Sequence, residues 1–391
     1  MAIGFRFFTQ PRFFSQPTET LFCQSTNPGP QETGEAKGKA VFYCRTSIVG
    51  LDFAPTEPLS TLPQHPPSAP SLSTQDFAMP PAPPLRLVSL LPSATEILDC
   101  LGLTDRIVGR SHECDYPAAV TDRPICTAAR LDSRQPSGQI DADVHTLLNH
   151  ALGLYAVNLD QLQTLQPTHI VTQDQCDVCA VTLAAVETAV ANLAPCQPQV
   201  ISLQPNCLGD LWADLQRVGV ALGVEAGPIV AALQDRVAAC HQKTVGLEPD
   251  QRPTVVAIEW IDPLMGSGNW IPELVTLAGG QNQLGQMGQH SPYISWETLL
   301  DTNPDVLVVM PCGFDLERTR QEMHQAMAQD SRWQQLGSVQ GDRLYLTDGN
   351  AYFNRPGPRL VDSLEILGEI LHPTLYPRRY PPTAWEQFRG A

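Results

Sequence analysis

The sequence lacks any uninterrupted apolar run of the roughly 18 residues that a membrane-spanning helix needs. It is also poor in positive charge: 24 Lys and Arg residues stand against 41 Asp and Glu residues, which gives a formal net charge of −17. A negative field of this size repels phosphate groups, which argues against nucleic acid and anionic membrane surfaces as partners. With 391 residues, the chain is long enough for two domains with a substantial core. We therefore expect a soluble protein without a membrane span.

The common motifs of nucleotide-dependent and hydrolytic enzymes are missing as well. The sequence contains no G-x-x-x-x-G-K-[ST], no G-x-G-x-x-G after a predicted strand, no G-x-S-x-G and no H-E-x-x-H. Spacing alone therefore identifies no catalytic constellation, and the sequence favours a protein that is not an enzyme.

The 11 cysteines form no regular disulfide framework, and most of them stand in apolar contexts that are typical of buried free thiols. A secretory leader is not recognisable either, because a basic start, an apolar core and a small-residue cleavage site are absent. Both observations indicate a cytoplasmic, reducing location. The alternative is a periplasmic protein whose start is wrongly assigned and whose leader is missing.

Residues 1–84 combine Phe-rich fragments with a Pro/Ser/Thr-rich run and show no sustained helical or alternating pattern. This composition predicts a disordered N-terminal extension. Met79 is a candidate for the true start, since it lies a few residues before the first predicted strand. The acid-poor beginning with Arg6 and Arg12 leaves an organelle transit peptide open.

A helix is predicted from Gly227 to about Gly246, and similar sequences stand on both sides of it. Pro228 suits the first helical position, and apolar residues recur at spacings of three and four. On each side, a helix end and a Pro precede a buried strand that is followed by a Cys. The first copy is 162–176 and the second is 299–312. Duplicated α/β lobes joined by one helix are the simplest account, although an ordinary surface helix is the alternative.

The predicted fold is therefore α/β, with two lobes that each contain a mostly parallel central sheet, bridged by one long helix. The predicted domains are the extension 1–84, an N-terminal lobe 85–226, the bridging helix 227–246, a C-terminal lobe 247–375 and a tail 376–391. Strands alternating with helices favour parallel sheets.

Ligands of open parallel sheets bind beyond the carboxyl ends of the strands. Polar, aromatic and thiol groups follow the predicted strands here, and we expect them to line a cleft between the lobes that suits a large, flat, amide-bearing ligand. The predicted ligand-binding residues are Ser93, His112, Glu113, Cys114, Gln173, Asp174, Gln175, Cys176, Trp260, Asn269, Trp270, Cys312, Tyr352, Asn354 and Arg355.

Cys176 and Cys179 form a C-x-x-C pair after a predicted strand, and such a pair is half of a metal site. His112, Cys114 and Cys312 would complete the site if the loops meet. A redox pair and ordinary loop cysteines remain alternatives. A helix beginning near Ala180 would lower the pKa of the Cys179 thiol.

Several segments carry a family resemblance. The segment Leu90–Ile97 (LLPSATEI), the segment 102–117 (GLTDRIVGRSHECDYP) and the P-x-x-I-V strand resemble periplasmic substrate-binding proteins of the helical-backbone class, nearest to the vitamin B12-binding proteins of ABC importers. The resemblance covers roughly residues 85–375. It implies two lobes bridged by one helix, cobalamin or a related corrinoid as ligand, and one glutamate per lobe that docks on a permease.

The docking positions suggested by the resemblance are Glu96 and Glu297. The leading hypothesis is a monomeric, non-enzymatic binding protein for a corrinoid or similar metal chelate, related to the substrate-binding proteins of ABC transporters. Haem and siderophores remain alternative ligands. The alternative class is a cytosolic metal-binding or thiol-dependent enzyme that uses the Cys/His cluster and a bound metal ion.

Overall fold

The computed structural model describes residues 84–149, 154–174, 181–193 and 196–389. The predicted N-terminal extension lies outside these ranges except for its last residue, and so do Met79 and three predicted site residues, Gln175, Cys176 and Cys179.

The N-terminal lobe is built on a sheet of parallel strands in the order β2-β1-β5-β6. Its buried strands are short apolar runs, as expected for a sheet covered by helices. Its described elements are β1 (Leu87–Ser89), α1 (Pro92–Cys100), β2 (Ile107–Arg110), β3 (Thr127–Ala129), α2 (Ser137–Asn149), β4 (Tyr155–Val157), α3 (Leu159–Leu165), β5 (His169–Gln173), α4 (Leu183–Ala191), β6 (Gln199–Leu203) and α5 (Leu208–Leu222).

The helix α6 (Gly227–Gln242) connects the two lobes and has Pro228 in its first turn, as the sequence predicts. It ends a few residues before the predicted stop at Gly246. It packs on α5 of the first lobe and on helices of the second lobe, and buries Val230, Leu233 and Cys240.

The C-terminal lobe has a sheet in the order β12-β11-β10-β7-β8, in which β8 and β12 are antiparallel and β9 pairs with β7 in parallel. Its described elements are β7 (Thr254–Trp260), β8 (Met265–Gly266), α7 (Ile271–Leu277), β9 (Gln281–Asn282), α8 (Trp296–Thr302), β10 (Val306–Val309), α9 (Leu316–Gln329), α10 (Gly337–Gln340), β11 (Leu344–Thr347), α11 (Leu360–Leu371) and β12 (Trp385–Gln387).

Both lobes contain the same four-stranded parallel arrangement. The order β2-β1-β5-β6 in the first lobe corresponds to β9-β7-β10-β11 in the second. The fold thus confirms two α/β lobes with mostly parallel sheets, bridged by one helix.

The helices α3 and α8 begin and end in the same way. Asn158 caps α3 by accepting the backbone N–H of Gln161, and Ser295 caps α8 by accepting the N–H of Thr298. Each helix ends in a left-handed residue, Gln166 and Asn303, which is followed by Pro and then by a central strand. Position 160 of α3 therefore corresponds to position 297 of α8.

The hairpin of β3 and β4, with α2 between its strands, interrupts this correspondence. In the N-terminal lobe it separates β2 from α3. The matching part of the C-terminal lobe, between β9 and α8, is the loop 283–295. An isolated bridge joins Arg110 to Ile125 just before this hairpin, whose first strand begins at Thr127.

The region predicted as a tail contains the edge strand β12, which pairs with β11 and buries Trp385. Phe388 is buried directly after it. No helix within the described ranges is long and apolar enough to cross a membrane.

Helix α5 supplies a test of the packing. Leu215 is fully buried on its inner face, whereas Val220 on its outer face is 82% exposed. We expect Leu215→Ala to lower the free energy of unfolding by about 2–5 kcal/mol, because it leaves a cavity in the core. Val220→Ala, the control, should change it by no more than about 0.5 kcal/mol. Urea denaturation followed by circular dichroism measures both, and equal effects would contradict the packing described.

Candidate functional site

An ion-pair cluster joins the two lobes. Glu96 in α1 is 2% exposed and accepts hydrogen bonds from Nε and Nη2 of Arg359, the former at 3.0 Å. Nη1 of Arg355 lies 3.6 Å from Oε1 of the same carboxylate. Arg355 also pairs with Asp115, whose Oδ2 accepts from Nη2 at 3.0 Å. Two acids of the first lobe thus meet two guanidinium groups of the second.

The turn Pro356-Gly357-Pro358 makes this approach possible, because it carries both arginines to the other lobe. A Cβ atom on Gly357 would lie 3.3 Å from Oε2 of Glu96, which is tighter than most side-chain contacts, and in ordinary contact with the Ser93 backbone at 3.5 Å. Arg355 and Arg359 therefore reach Glu96 from a turn whose backbone lies against α1.

The cluster extends toward solvent through aromatic rings. The guanidinium of Arg359 lies 4.2 Å from the centre of the Tyr116 ring and 5.7 Å from that of Tyr352, within cation–π range. Tyr116 is 45% exposed. Nη2 of Arg355 donates to Asn350 at 3.0 Å. An exposed ring, a carboxylate and an amide thus surround two fixed cations.

The two acids of the cluster have opposite pKa shifts. Burial raises the pKa of Glu96, although the hydrogen bonds and charge of Arg359 oppose the shift. Burial also acts to raise the pKa of Asp115, but the hydrogen bonds and charge of Arg355 outweigh it and lower that pKa. The side chain of Asp115 is 55% exposed, while that of Arg355 is only 6% exposed. Asp115 is therefore the accessible anion of the cluster.

His112 and Glu113 form a second group beside β3 and β4. Nδ1 of His112 lies 2.7 Å from the Thr127 hydroxyl, and its ring centre lies 5.4 Å from that of Tyr155. The Tyr155 hydroxyl donates to Oε1 of Glu113 at 3.0 Å. Burial, aided by the charge of Arg110, lowers the pKa of His112, which favours a neutral imidazole, while burial raises the pKa of Glu113.

The predicted metal site is not assembled from the residues that the structure describes. The Cys114 thiol is buried, accepts a hydrogen bond from the Thr95 hydroxyl at 3.0 Å, and has its pKa raised by burial to about 11. It is therefore protonated at neutral pH and poorly suited to ligation. Within the described ranges, no group of three or more His, Cys, Asp or Glu side chains is placed to hold a metal ion. Cys176 and Cys179 lie outside those ranges.

Two predicted ligand contacts support the fold. Trp270 is 6% exposed and its indole N–H donates to the Phe353 carbonyl at 2.8 Å, which makes it a core residue. The side chain of Asn354 donates to the carbonyls of Met310 at 2.9 Å and Gly349 at 3.1 Å, which ties the strand ends together.

The remaining predicted residues lie at or near strand ends. Ser93 and Asn269 are buried, and Oγ of the former and Oδ1 of the latter have no hydrogen-bond partner among the described residues. Gln173 is buried at the end of β5, and exposed Asp174 accepts from Gln204 at 3.1 Å. Cys312 is half-buried after β10.

Trp260 ends β7 with its ring centre 5.3 Å from that of Phe314. Its indole N–H donates to the Ser137 carbonyl of the other lobe at 3.3 Å. Trp260 therefore lies at the boundary of the lobes, and its contact with a ligand stays a prediction.

The two predicted docking glutamates differ in accessibility. Glu297 lies exposed in the first turn of α8, whereas Glu96 is buried and already paired with arginine. Glu96 is thus not available to a partner in this structure, which corrects the expectation drawn from the resemblance. The exposed acid at the position equivalent to Glu297 is Asp160 in α3.

Sequence reasoning missed Tyr116 and Arg359 as members of this cluster, and it left Asp115 out of the predicted ligand-binding residues. The motif Arg-Pro-Gly-Pro-Arg was visible in the sequence and contained a usable clue, since a turn so rich in Pro and Gly holds its flanking side chains rigidly. The partners of these arginines come from about 240 residues earlier in the chain, and no local pattern connects them.

Known proteins share this architecture. A B. subtilis protein described as an uncharacterised ABC transporter substrate-binding lipoprotein is 21% identical over 75% of this chain and 82% of its own. A vitamin B12-binding protein of Vibrio cholerae is 22% identical over 73% of this chain and 88% of its own. The solved structure of a periplasmic heme-binding protein from Pseudomonas aeruginosa has a TM-score of 0.58 at 18% identity, covering 79% of this chain and all of that one.

These descriptions give no support to the predicted cytoplasmic location, because they name a lipoprotein and a periplasmic protein. The family model described as periplasmic binding protein matches residues 87–351, which is most of the region that the structure describes. With two parallel-sheet lobes on one bridging helix and a polar cluster between them, the chain belongs to the periplasmic binding protein family.

Proposed function

We propose that this protein is the substrate-binding component of an ABC importer and that it holds a metal chelate of the corrinoid type between its lobes. The observation that supports this most is the cluster of Arg355, Asp115 and Tyr116 between the lobes, where an exposed ring and polar groups surround a fixed cation. A flat ligand with amide or carboxylate edges matches such a site, since its face packs on rings and its edge hydrogen bonds to the polar groups.

The relatives support the same ligand class. One relative is named for binding vitamin B12, and one structural neighbour for binding heme. Family membership confirms a solute-binding protein in place of an enzyme. The buried, protonated Cys114 gives no support to the alternative of a thiol-dependent enzyme. Import also requires the protein to meet its permease outside the cytoplasm, so the cytoplasmic location is not retained.

We favour a corrinoid over heme because the groups around Arg355 are amide and carboxylate side chains that match an amide-decorated ring edge. Asn350 and Asp115 both contact this guanidinium, at 3.0 Å each. His112 stands three residues before Asp115 in the sequence, and burial lowers the pKa of its imidazole, which favours the neutral form that can serve as a nitrogen ligand.

The purified protein should bind cobalamin with a saturable change in its visible spectrum and one-to-one stoichiometry, with a Kd on the order of 10⁻⁶ M or lower. Hemin and a ferric siderophore serve as competing ligands in the same titration. If cobalamin at on the order of 10⁻⁵ M gives no spectral change and no calorimetric heat, the corrinoid is ruled out as the ligand. Tight binding of hemin alone would reassign the ligand to a porphyrin.

Asp115 and Arg355 should affect that affinity in opposite directions. Arg355→Ala removes a charged hydrogen-bond donor and should weaken binding by about 10- to 100-fold, equivalent to about 1.5–3 kcal/mol. Asp115→Ala frees the guanidinium for the ligand and should strengthen binding. Titrations with the same ligand measure both. Arg106→Ala, which removes an exposed arginine from the turn directly before β2, is the control. Weaker binding by both cleft variants would contradict direct competition by Asp115.

Asp160 and Glu297 should form the two-point contact with the permease, because they occupy equivalent exposed positions in the first turns of α3 and α8. Asp160→Arg and Glu297→Arg should each reduce binding to the cognate permease in proteoliposomes, and the double variant should abolish it. Glu225→Arg, an equal charge change in the loop before α6, is the matched control. An equal loss with Glu225→Arg would indicate a nonspecific effect of charge and contradict the assignment.

A further inference from the structure

The segment 130–149, which contains α2, crosses from the N-terminal lobe to the C-terminal lobe, and we name it the strap. It stands between β3 and β4, in the part of the first lobe that has no counterpart in the described second lobe beyond the loop 283–295. The strap is therefore an addition to the duplicated architecture and is not needed to complete either parallel sheet.

The beginning of α2 is bound to the other lobe by buried hydrogen bonds. The backbone N–H and the hydroxyl of Ser137 both donate to Oε1 of Glu322 in α9, at 2.8 and 2.6 Å. Ser137 is 1% exposed and Glu322 is 8% exposed. A carboxylate that accepts from a backbone N–H and a hydroxyl in such surroundings makes strong, directional bonds.

Further contacts hold the strap along its length. Arg318 donates to the carbonyls of Arg134 at 3.1 Å and Gln135 at 2.6 Å. The Tyr293 hydroxyl, from the loop 283–295, donates to Oδ1 of Asp141 at 2.9 Å. The strap is thus attached to α9 and to the loop before α8.

Gly138 allows the strap to lie this close. A Cβ atom at this position would stand 2.5 Å from Oδ2 and 3.3 Å from Cγ of Asp262. Any Cβ at this position therefore requires the Asp262 carboxylate to move, and a side chain as large as Leu needs still more room between the strap and the segment that carries Asp262.

The strap also contacts Trp260, a residue predicted to line the cleft. The Ser137 carbonyl accepts the indole N–H of Trp260 at 3.3 Å. The ring centre of Phe314 lies 5.3 Å from that of Trp260 and 4.8 Å from the Arg318 guanidinium. A ligand that hydrogen bonds to the Trp260 indole N–H would replace the strap at this position.

We propose that the strap is a gate: it latches onto Glu322, Arg318 and Trp260, and it must release these contacts before a large planar ligand can enter between the lobes. The ligand part of this inference rests on the proposed function. The latch itself concerns only contacts within the chain and can be tested without any ligand.

The first experiment measures hydrogen–deuterium exchange of peptides covering 137–149 in the ligand-free full-length protein. Gly138→Leu should speed their exchange by at least about tenfold, because it opens the latch. Gly246→Leu, the same substitution at an exposed position with nothing near its Cβ, is the control. Arg318→Ala provides a second, milder variant in case Gly138→Leu does not fold. Unchanged exchange in the folded variants would overturn the latch.

The second experiment is stopped-flow mixing with cobalamin, with hemin as a parallel probe. Both latch variants should raise the association rate constant by about tenfold relative to the wild type and to Gly246→Leu. If the latch variants bind the probe as tightly as the wild type and with the same association rate constant, the gate is overturned and the proposed function stands. If neither the wild type nor any variant binds either probe, the proposed function is refuted and the gate with it. The exchange experiment then still tests the latch by itself.

Discussion

The contact on which the geometry of the site depends is the buried carboxylate of Glu96. It lies in the first lobe and is neutralised by Arg359 and Arg355 of the second. Removing either partner from a buried ion pair leaves an uncompensated charge, so such a contact penalises any arrangement that separates its members. Together with α6, which sets the distance between the lobes, it fixes the position of Arg355. The accessible groups Asp115 and Tyr116 are arranged around that fixed point.

Duplication of one α/β unit explains most of the architecture. The strap, which departs from the duplication, is the part with a proposed function of its own. The two lobes have equivalent four-stranded orders. Equivalent caps at Asn158 and Ser295 place Asp160 and Glu297 in matching exposed positions. The strap has no such equivalent. It adds buried polar contacts across the boundary, and buried polar contacts are directional, so they favour one closed arrangement over a range of loosely packed ones.

The chemistry of the cleft suits binding better than catalysis. Burial keeps Cys114 protonated, and His112 has a pKa shifted toward the neutral form. The strongest charges, those of Arg355 and Arg359, are already engaged by acids of the same chain. Under the proposed function, a ligand would replace Asp115 in one of these contacts, and its affinity would then depend on the difference between two similar interactions.

The sequence by itself determined the α/β class, the two lobes and the helix that begins at Gly227, because these follow from short apolar runs, from Pro and Gly positions and from a repeat visible within one chain. It also identified Trp260 and Arg355 as residues near the ends of strands. Only the tertiary structure decided that Glu96 is buried, that Trp270 and Asn354 hydrogen bond to backbone carbonyls, and that Asp115 and Arg359 join the ion-pair cluster between the lobes. Those roles depend on pairs such as Asp115 and Arg355, which lie 240 positions apart. Local periodicity reports which face of an element is apolar, but the partner that a polar side chain meets is set by how the two lobes pack.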